Sequence, residues 1–261
     1  MTQPGKRCIF CGERGNITKQ HILPDRIKHL VPRLVPYHSH QTERVFYNPD
    51  GTVCCREPAK KLSPGHLGNR RFRVVCLNCN TGWMKRAEEE AFEYAEPIIL
   101  GRTLVLSAEA QQKLTTLAAL IMCMVDLTDQ PTSTITQADR AYIRETRQAP
   151  ASWYLFLGRT DSPEWKTRYR HAAAISLTQG TVPNGQTSNS QSTVVAIGNL
   201  VLHLAMSQAT PILVDADRYA RLLGLARLPG AETIDTAKLP LHDTASMVVL
   251  SSTLTGWMNG S

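Results

Sequence analysis

An α+β fold is predicted: a small cysteine-rich module over residues 1–102, then an α+β domain over residues 103–261 with helices on an antiparallel sheet. Three observations predict it. Four of the seven cysteines fall into two CxxC pairs, Cys8/Cys11 and Cys76/Cys79, both in the first third of the chain. Sustained helical periodicity starts only at Trp83, after a stretch rich in Pro, Gly, Cys and His. Beyond Pro150, runs of β-branched and aromatic residues alternate with turn formers.

Each element follows from local chemistry. Up to about Gly82 the chain reads as short strands, turns and irregular backbone. Trp83–Ala95 reads as a helix with Trp83, Ala87, Ala91 and Tyr94 or Ala95 on one face, stopped by Pro97. A second helix runs from an N-cap at Ser107 to about Leu127, with Leu114, Leu117, Ala118, Ile121, Met124 and Val125 at helical spacing. Thr136 and Asp139 form a capping-box signature for a helix through about Arg147, closed by Pro150. Three strands are expected: Trp153–Leu157, Tyr169–Leu177 and Thr193–Met206, the last with a bulge near Gly198 or Asn199. Residues 179–192 are polar and nearly charge-free and read as a mobile loop. Asp215 is a candidate cap for a short helix ending at Gly224, and Ser246–Ser251 a candidate last strand.

At 261 residues the chain can bury its cores without cross-links, and 42% hydrophobic with 20% charged residues is ordinary for a soluble globular protein. The longest apolar run, Leu117–Val125, is about half of a bilayer-spanning helix, so no membrane partner is expected. The N-terminus has no apolar stretch behind its cations, which argues against a secretory signal and for the cytoplasm. Oligomeric state leaves no signature.

The net charge of +7 is unevenly placed. Residues 1–87 carry 16 Lys/Arg against 5 Asp/Glu, whereas residues 103–261 carry 12 against 12. Such a concentration suits a phosphate-binding surface, with Arg70, Arg71, Arg73, Lys60 and Lys61 as the candidate grip on nucleic acid; a solvated basic face is the alternative. DNA is the expected partner over RNA.

The two CxxC pairs, with 64 residues between them, have the spacing of zinc knuckles, and Gly12 permits the tight turn that brings backbone amides to the sulfurs. Cys8, Cys11, Cys76 and Cys79 would complete a four-thiolate site with no open position, hence structural zinc. Cys54, Cys55 and Cys123 read as bystanders.

Between the knuckles stands Lys19-Gln20-His21-Ile22-Leu23-Pro24, and after the second comes Asn80-Thr81-Gly82-Trp83-Met84. The order CxxC, xHIxP, CxxCN resembles the HNH (ββα-metal) endonuclease superfamily, especially phage junction-resolving enzymes, and the CxxCNxGWM element resembles a group of uncharacterised bacterial HNH-like proteins. The resemblance implies that residues 1–102 form a zinc-braced ββα-metal module. It makes His21 the general base and the positions of Gln20 and Asn80 the ligands of a catalytic Mg²⁺ or Mn²⁺. The family normally has an acid where this chain has Gln20, and Glu13 or Glu88 could supply that charge. Asn80 could equally cap the following helix, Trp83 is a core anchor before it is a base-stacking residue, and His29, His38, His40 and His66 read as surface. The resulting expectation is a metal-dependent endonuclease acting on DNA. The alternative is a catalytically inactive, zinc-stabilised nucleic-acid-binding or interaction module. A third possibility, carried by the resemblance alone, makes the C-terminal half a sensor or partner-binding domain in a phage or mobile-element setting.

Overall fold

The computed structural model describes residues 6–31, 37–47, 53–64, 69–128, 133–175, 189–207 and 216–252, with residues 37–47 and 53–64 described by their backbone. Strand β1 (Ile17–His21) leads through a short helix α1 (Ile27–Leu30) to two long strands, β2 (Tyr37–Tyr47) and β3 (Val53–Pro64), and then to β4 (Arg71–Cys76). A continuous helical stretch follows: α2 (Leu77–Cys79), a π-turn over Asn80–Met84 kinked at Gly82, and α3 (Lys85–Ile99). β1 pairs antiparallel with β4, placing Ile17 opposite Cys76 and His21 opposite Arg71. The register slips between Thr18 and Lys19, which is why Ile17 and Gln20, three residues apart, both face inward.

Pro97 does not stop α3. It sits inside the helix, which runs on to Ile99. Arg102 N–H donates to the Pro97 carbonyl at 2.8 Å and Gly101 N–H to the Ile98 carbonyl at 2.9 Å, the two bonds of a Schellman motif. Gly101, with φ at +82°, therefore ends the helix.

Beyond it lie β5 (Val105–Leu106), α4 (Ala108–Asp126) and α5 (Gln137–Thr146). The caps fall where the sequence puts them: Ser107 Oγ accepts from Ala110 N–H at 3.3 Å, and both halves of the Thr136/Asp139 capping box are made. α4 is buried around nearly its whole circumference, so it is the central core helix. The fully buried Asp126 carboxylate takes Arg140 Nη2 at 2.8 Å, Ser133 Oγ at 2.6 Å and Thr134 N–H at 2.9 Å, which pins α5 to the end of α4.

The remaining elements are β6 (Trp153–Thr160), β7 (Thr167–Ile175), β8 (Ser190–Ile197), β9 (Leu200–Ser207), α6 (Ala216–Leu222), β10 (Ala226–Leu228), β11 (Ile234–Asp235), β12 (Leu241–His242) and α7 (Thr244–Ser252). The large sheet has the order β10-β6-β9-β8-β7-β2-β3, with β12 also paired to β6 and β11 paired separately to β5. This sheet is mixed, where an antiparallel one is expected from the sequence. β2 runs parallel to β7 from Gln41/Arg170 to Phe46/Ile175, a pairing that a distant segment can make but a hairpin cannot. The spacer between the knuckles therefore supplies two strands to a sheet built mainly from residues beyond 102, and one apolar core runs from Cys8 to Ile234.

Two further expectations are corrected. Thr193–Met206 is not one bulged strand but the hairpin β8–β9, extended at both ends, with Gly198 and Asn199 as its turn. Gly198 has φ at +57°, and Asn199 N–H donates to the Ile99 carbonyl at 3.0 Å, docking the turn on the end of α3. Ser246–Ser251 lies in α7, not in a strand. Asp243 starts that helix, its Oδ1 accepting from Ser246 N–H at 2.8 Å, and this cap overrides the strand preference of Val248 and Val249. Of the expected mobile loop, residues 190–192 belong to β8 and 179–188 lie outside the described residues, as do Leu177 and Asp215. No described helix is long and apolar enough to cross a membrane.

A four-cysteine cluster and a candidate catalytic face

The first knuckle is a turn closed by its own backbone: Gly12 N–H donates to the Cys8 carbonyl at 2.9 Å, with Gly12 at φ +72°. The second starts at the end of β4, where Cys79 N–H points to Cys76 Sγ at 3.5 Å. Ile9 N–H bonds the Val74 carbonyl at 3.0 Å and so lashes the first knuckle to β4, beside the second. The Sγ atoms of Cys8, Cys11, Cys76 and Cys79 all lie within 4.8 Å of one another. Cys11 Sγ and Cys76 Sγ are 3.7 Å apart, far beyond a disulfide bond of about 2.0 Å. That separation matches the edge of about 3.8 Å of a tetrahedron whose metal–sulfur bonds are about 2.3 Å. The cluster could hold a metal ion such as zinc.

Its electrostatics fit a cation. Burial pushes the Cys8 thiol up, but the backbone amides of Cys11, Cys76 and Phe10 outweigh it and bring the group down to about 7. Burial raises Cys11 and, strongly, Cys79, and the neighbouring sulfurs add to both shifts. One thiolate forms easily; the next ones need positive charge among them. Cys123 is buried on α4, pushed up to about 12 by that burial, and takes no part. The side chains of Cys54 and Cys55 lie outside the described residues.

Next to the cluster, β1 and the helix after β4 bring the other predicted residues together. Gln20, 7% exposed, donates from Nε2 to Glu88 Oε1 at 3.3 Å. Asn80 donates from Nδ2 to Thr18 Oγ1 at 2.9 Å, which leaves its oxygen available to a ligand. It does not cap the helix; Cys76 does, through its sulfur. His21 Nε2 is 3.1 Å from Asp25 Oδ1, and Lys28 reaches both oxygens of Asp25, at 2.7 and 2.8 Å. The Lys28 hydrogen bonds hold the Asp25 carboxyl below its ordinary value, with His21 and Arg71 adding to the effect. Burial pushes Glu88 up to about 7; Gln20 opposes this, and the charges of Glu89 and Asp25 reinforce it.

Of the two acids considered as substitutes at position 20, Glu88 contacts Gln20, whereas Glu13 is exposed and meets the first knuckle through its carbonyl. Asp25 was missed by the sequence reading, although His-x₃-Asp at the end of a strand was a usable signal for a carboxylate that orients an imidazole. Trp83 is a buried core anchor, edge-on to Phe10 at 5.2 Å.

The basic residues on and just before β4 do not act as one cluster. Arg71 and Arg73 are exposed, Arg73 reaching the Ile17 carbonyl at 3.4 Å. Arg70 is half-buried and donates to the Tyr169 hydroxyl at 3.0 Å. Lys60 and Lys61 lie on the edge strand β3, and their side chains are outside the described residues, as are those of His38, His40 and His66. His29 is exposed. Comparison with known proteins finds no matching family model, no matching curated protein and no matching solved structure.

Proposed function

We propose that this chain is a metal-dependent endonuclease of the HNH type that cleaves phosphodiester bonds of nucleic acid, DNA in the first instance, in the reducing cytoplasm, with zinc in its four-cysteine cluster. The observation that supports this reading is the Gln20–Glu88 contact one residue from His21: a carboxylate from the helix stands where β1 itself offers only an amide. Asn80, Glu88 and Gln20 would hold Mg²⁺ or Mn²⁺ through oxygen, the donor type these hard cations prefer. Such an ion supplies charge stabilisation at the scissile phosphate and leaving oxygen. His21 accepts the proton of the attacking water, and Asp25 orients the imidazole and stabilises its protonated form. Arg71 and Arg73, exposed on β4 and opposite or near His21 in register, hold flanking phosphates.

One observation favours the rival reading of a silent binding module: residue 20 is neutral, and Glu88 pays for its burial by holding a proton near neutral pH. Plasmid nicking separates the two. The wild type should nick with Mg²⁺ or Mn²⁺, and His21→Ala should abolish nicking while keeping zinc and a steeply salt-dependent DNA affinity. Gln20→Glu should lower the Mg²⁺ concentration needed for half-maximal cleavage. Failure of the wild type, Gln20→Asp and Gln20→Glu to cut any DNA or RNA substrate would leave only the binding module.

A further inference from the structure

We propose that the cavity enclosed by α3, α4 and the C-terminal end of α5 is a second site, which binds the phosphate group of a small anionic ligand. Its volume is 240 Å³, below the roughly 300–1,000 Å³ of sites for drug-sized molecules and suited to a compact ion or the phosphate end of a nucleotide. Arg147, Arg86, Lys113, Trp83, Gln112 and Glu90 line it. Trp83 of the π-turn and Arg86 and Glu90 of α3 recur at helical spacing on a face that does not include Glu88, so the cavity is distinct from the candidate catalytic face and the inference does not rest on the nuclease reading.

Arg147 carries the argument. It has φ at +61°, the one positive value at a non-glycine residue among those described. Gln112 Nε2 and Thr116 Oγ1 both donate to its carbonyl, so two side chains of α4 hold this backbone in place. The guanidinium lies over the Trp83 ring at 4.4 Å, which fixes its plane. Its Nη1 is nevertheless buried without a hydrogen-bond partner among the described residues. Arg147 lines the cavity, so a small shift of its head group would turn the unsatisfied donor towards a bound oxygen, and planar arginine matches phosphate oxygens well.

The surrounding charge has the sign that selects an anion. Arg86 makes no ion pair among the described residues, and Lys113 is shared with the exposed Glu109 at 2.8 Å. Burial, then Arg86 and Arg144, hold Arg147 below its ordinary pKa, and Cys79 and Glu90 offset only part of this. Two guanidinium groups, Arg147 and Arg86, thus line the space together with Lys113, and Glu90 is the single acid among its lining residues.

Isothermal titration of the full, zinc-loaded chain at low salt, with inorganic phosphate and with AMP as probes, tests the site. One saturable site per chain is expected. Arg147→Gly, which keeps the left-handed backbone, and Arg86→Glu should each weaken it by roughly tenfold or more, as loss of a charge-assisted hydrogen bond requires. Glu90→Gln should tighten it, and His21→Ala should leave it unchanged. A 5′-phosphorylated dinucleotide identifies the source: binding there but not by free phosphate or AMP assigns the cavity to a strand end, and the reverse assigns it to a free metabolite. The proposal is overturned by any of three results: no saturable binding of any probe, equal binding of the dephosphorylated dinucleotide, or wild-type affinity in both Arg147→Gly and Arg86→Glu. Should Arg147→Gly lose zinc or fail to fold, the exposed Arg86→Glu decides alone.

Discussion

Replacing Glu88 by Gln isolates the most perturbed acid of the candidate catalytic face. In the folded chain burial holds this carboxyl at about 7, against an ordinary value of 4.5. A folded value above the unfolded one means that the folded state binds the proton more tightly. The stabilisation is therefore complete below about pH 4.5 and is lost as pH rises through about 7. A shift from 4.5 to about 7, at about 1.4 kcal/mol per unit, amounts to about 3 kcal/mol. The amide of Gln at 88 has the same shape, still offers an oxygen to Gln20 Nε2, and does not titrate. Urea unfolding at pH 5 and pH 8, without Mg²⁺ or Mn²⁺, reads the effect. The wild type should lose about 2.5 kcal/mol more than Glu88→Gln between the two conditions, since at pH 5 the unfolded carboxyl is already mostly ionised, a shift of about 1 M in midpoint. The difference between the two proteins removes the pH dependence that they share. Parallel pH dependence in the two would refute the burial argument, and with it the case for Glu88 as a strained acid ready for a cation.

Two other outcomes follow from the geometry. Purified wild type should carry about one zinc per chain by elemental analysis, and Cys76→Ser should lose both the metal and the folded N-terminal unit, since binding energy at such a site is folding energy; unchanged metal content and melting would show that the cluster holds none. Gly198→Ala should destabilise the chain by about 2–4 kcal/mol in denaturant unfolding, because the left-handed backbone is unfavourable for alanine and its Cβ would strike the Ile99 carbonyl; a change below about 1 kcal/mol would mean that the β8–β9 turn is not docked on α3.

Signals that act within a few residues were legible in the sequence. Ser107 and the Thr136/Asp139 box set the starts of α4 and α5, because a cap is a contact between near neighbours. Competition between local signals caused the errors at Pro97 and at residues 246–251. In the first, a Schellman glycine four residues on sets the helix end; in the second, an Asp cap outweighs β-branched side chains. The cysteine cluster was readable because CxxC spacing encodes a turn geometry, whereas His21, Gln20 and Asn80 were singled out through the family resemblance alone. Arg147 was invisible, since its place over Trp83 depends on contacts between residues 31 to 64 positions apart in the chain.

The spacer between the knuckles is the largest departure, and it changes how the two halves relate. The long segment between the two cysteine pairs reads as short strands, turns and irregular backbone in sequence, yet β2 and β3 pair over 11 positions and β2 adds six more beside β7. Backbone pairing carries little side-chain signature, so neither the partner nor the parallel sense could be read from residues 37–64. The consequence is mechanical. The chain that supplies His21 enters the large sheet and returns from it before supplying Cys76, so the candidate catalytic face is tied to the C-terminal sheet by two connections and by the Arg70–Tyr169 bond. Removing residues 103–261 would strip β7 from β2 and expose a long sheet edge prone to pairing with other chains. The cysteine-bearing unit and the C-terminal sheet thus share strand pairings and one apolar core, and the cysteine cluster lies beside a ribbon whose other end is anchored in that sheet.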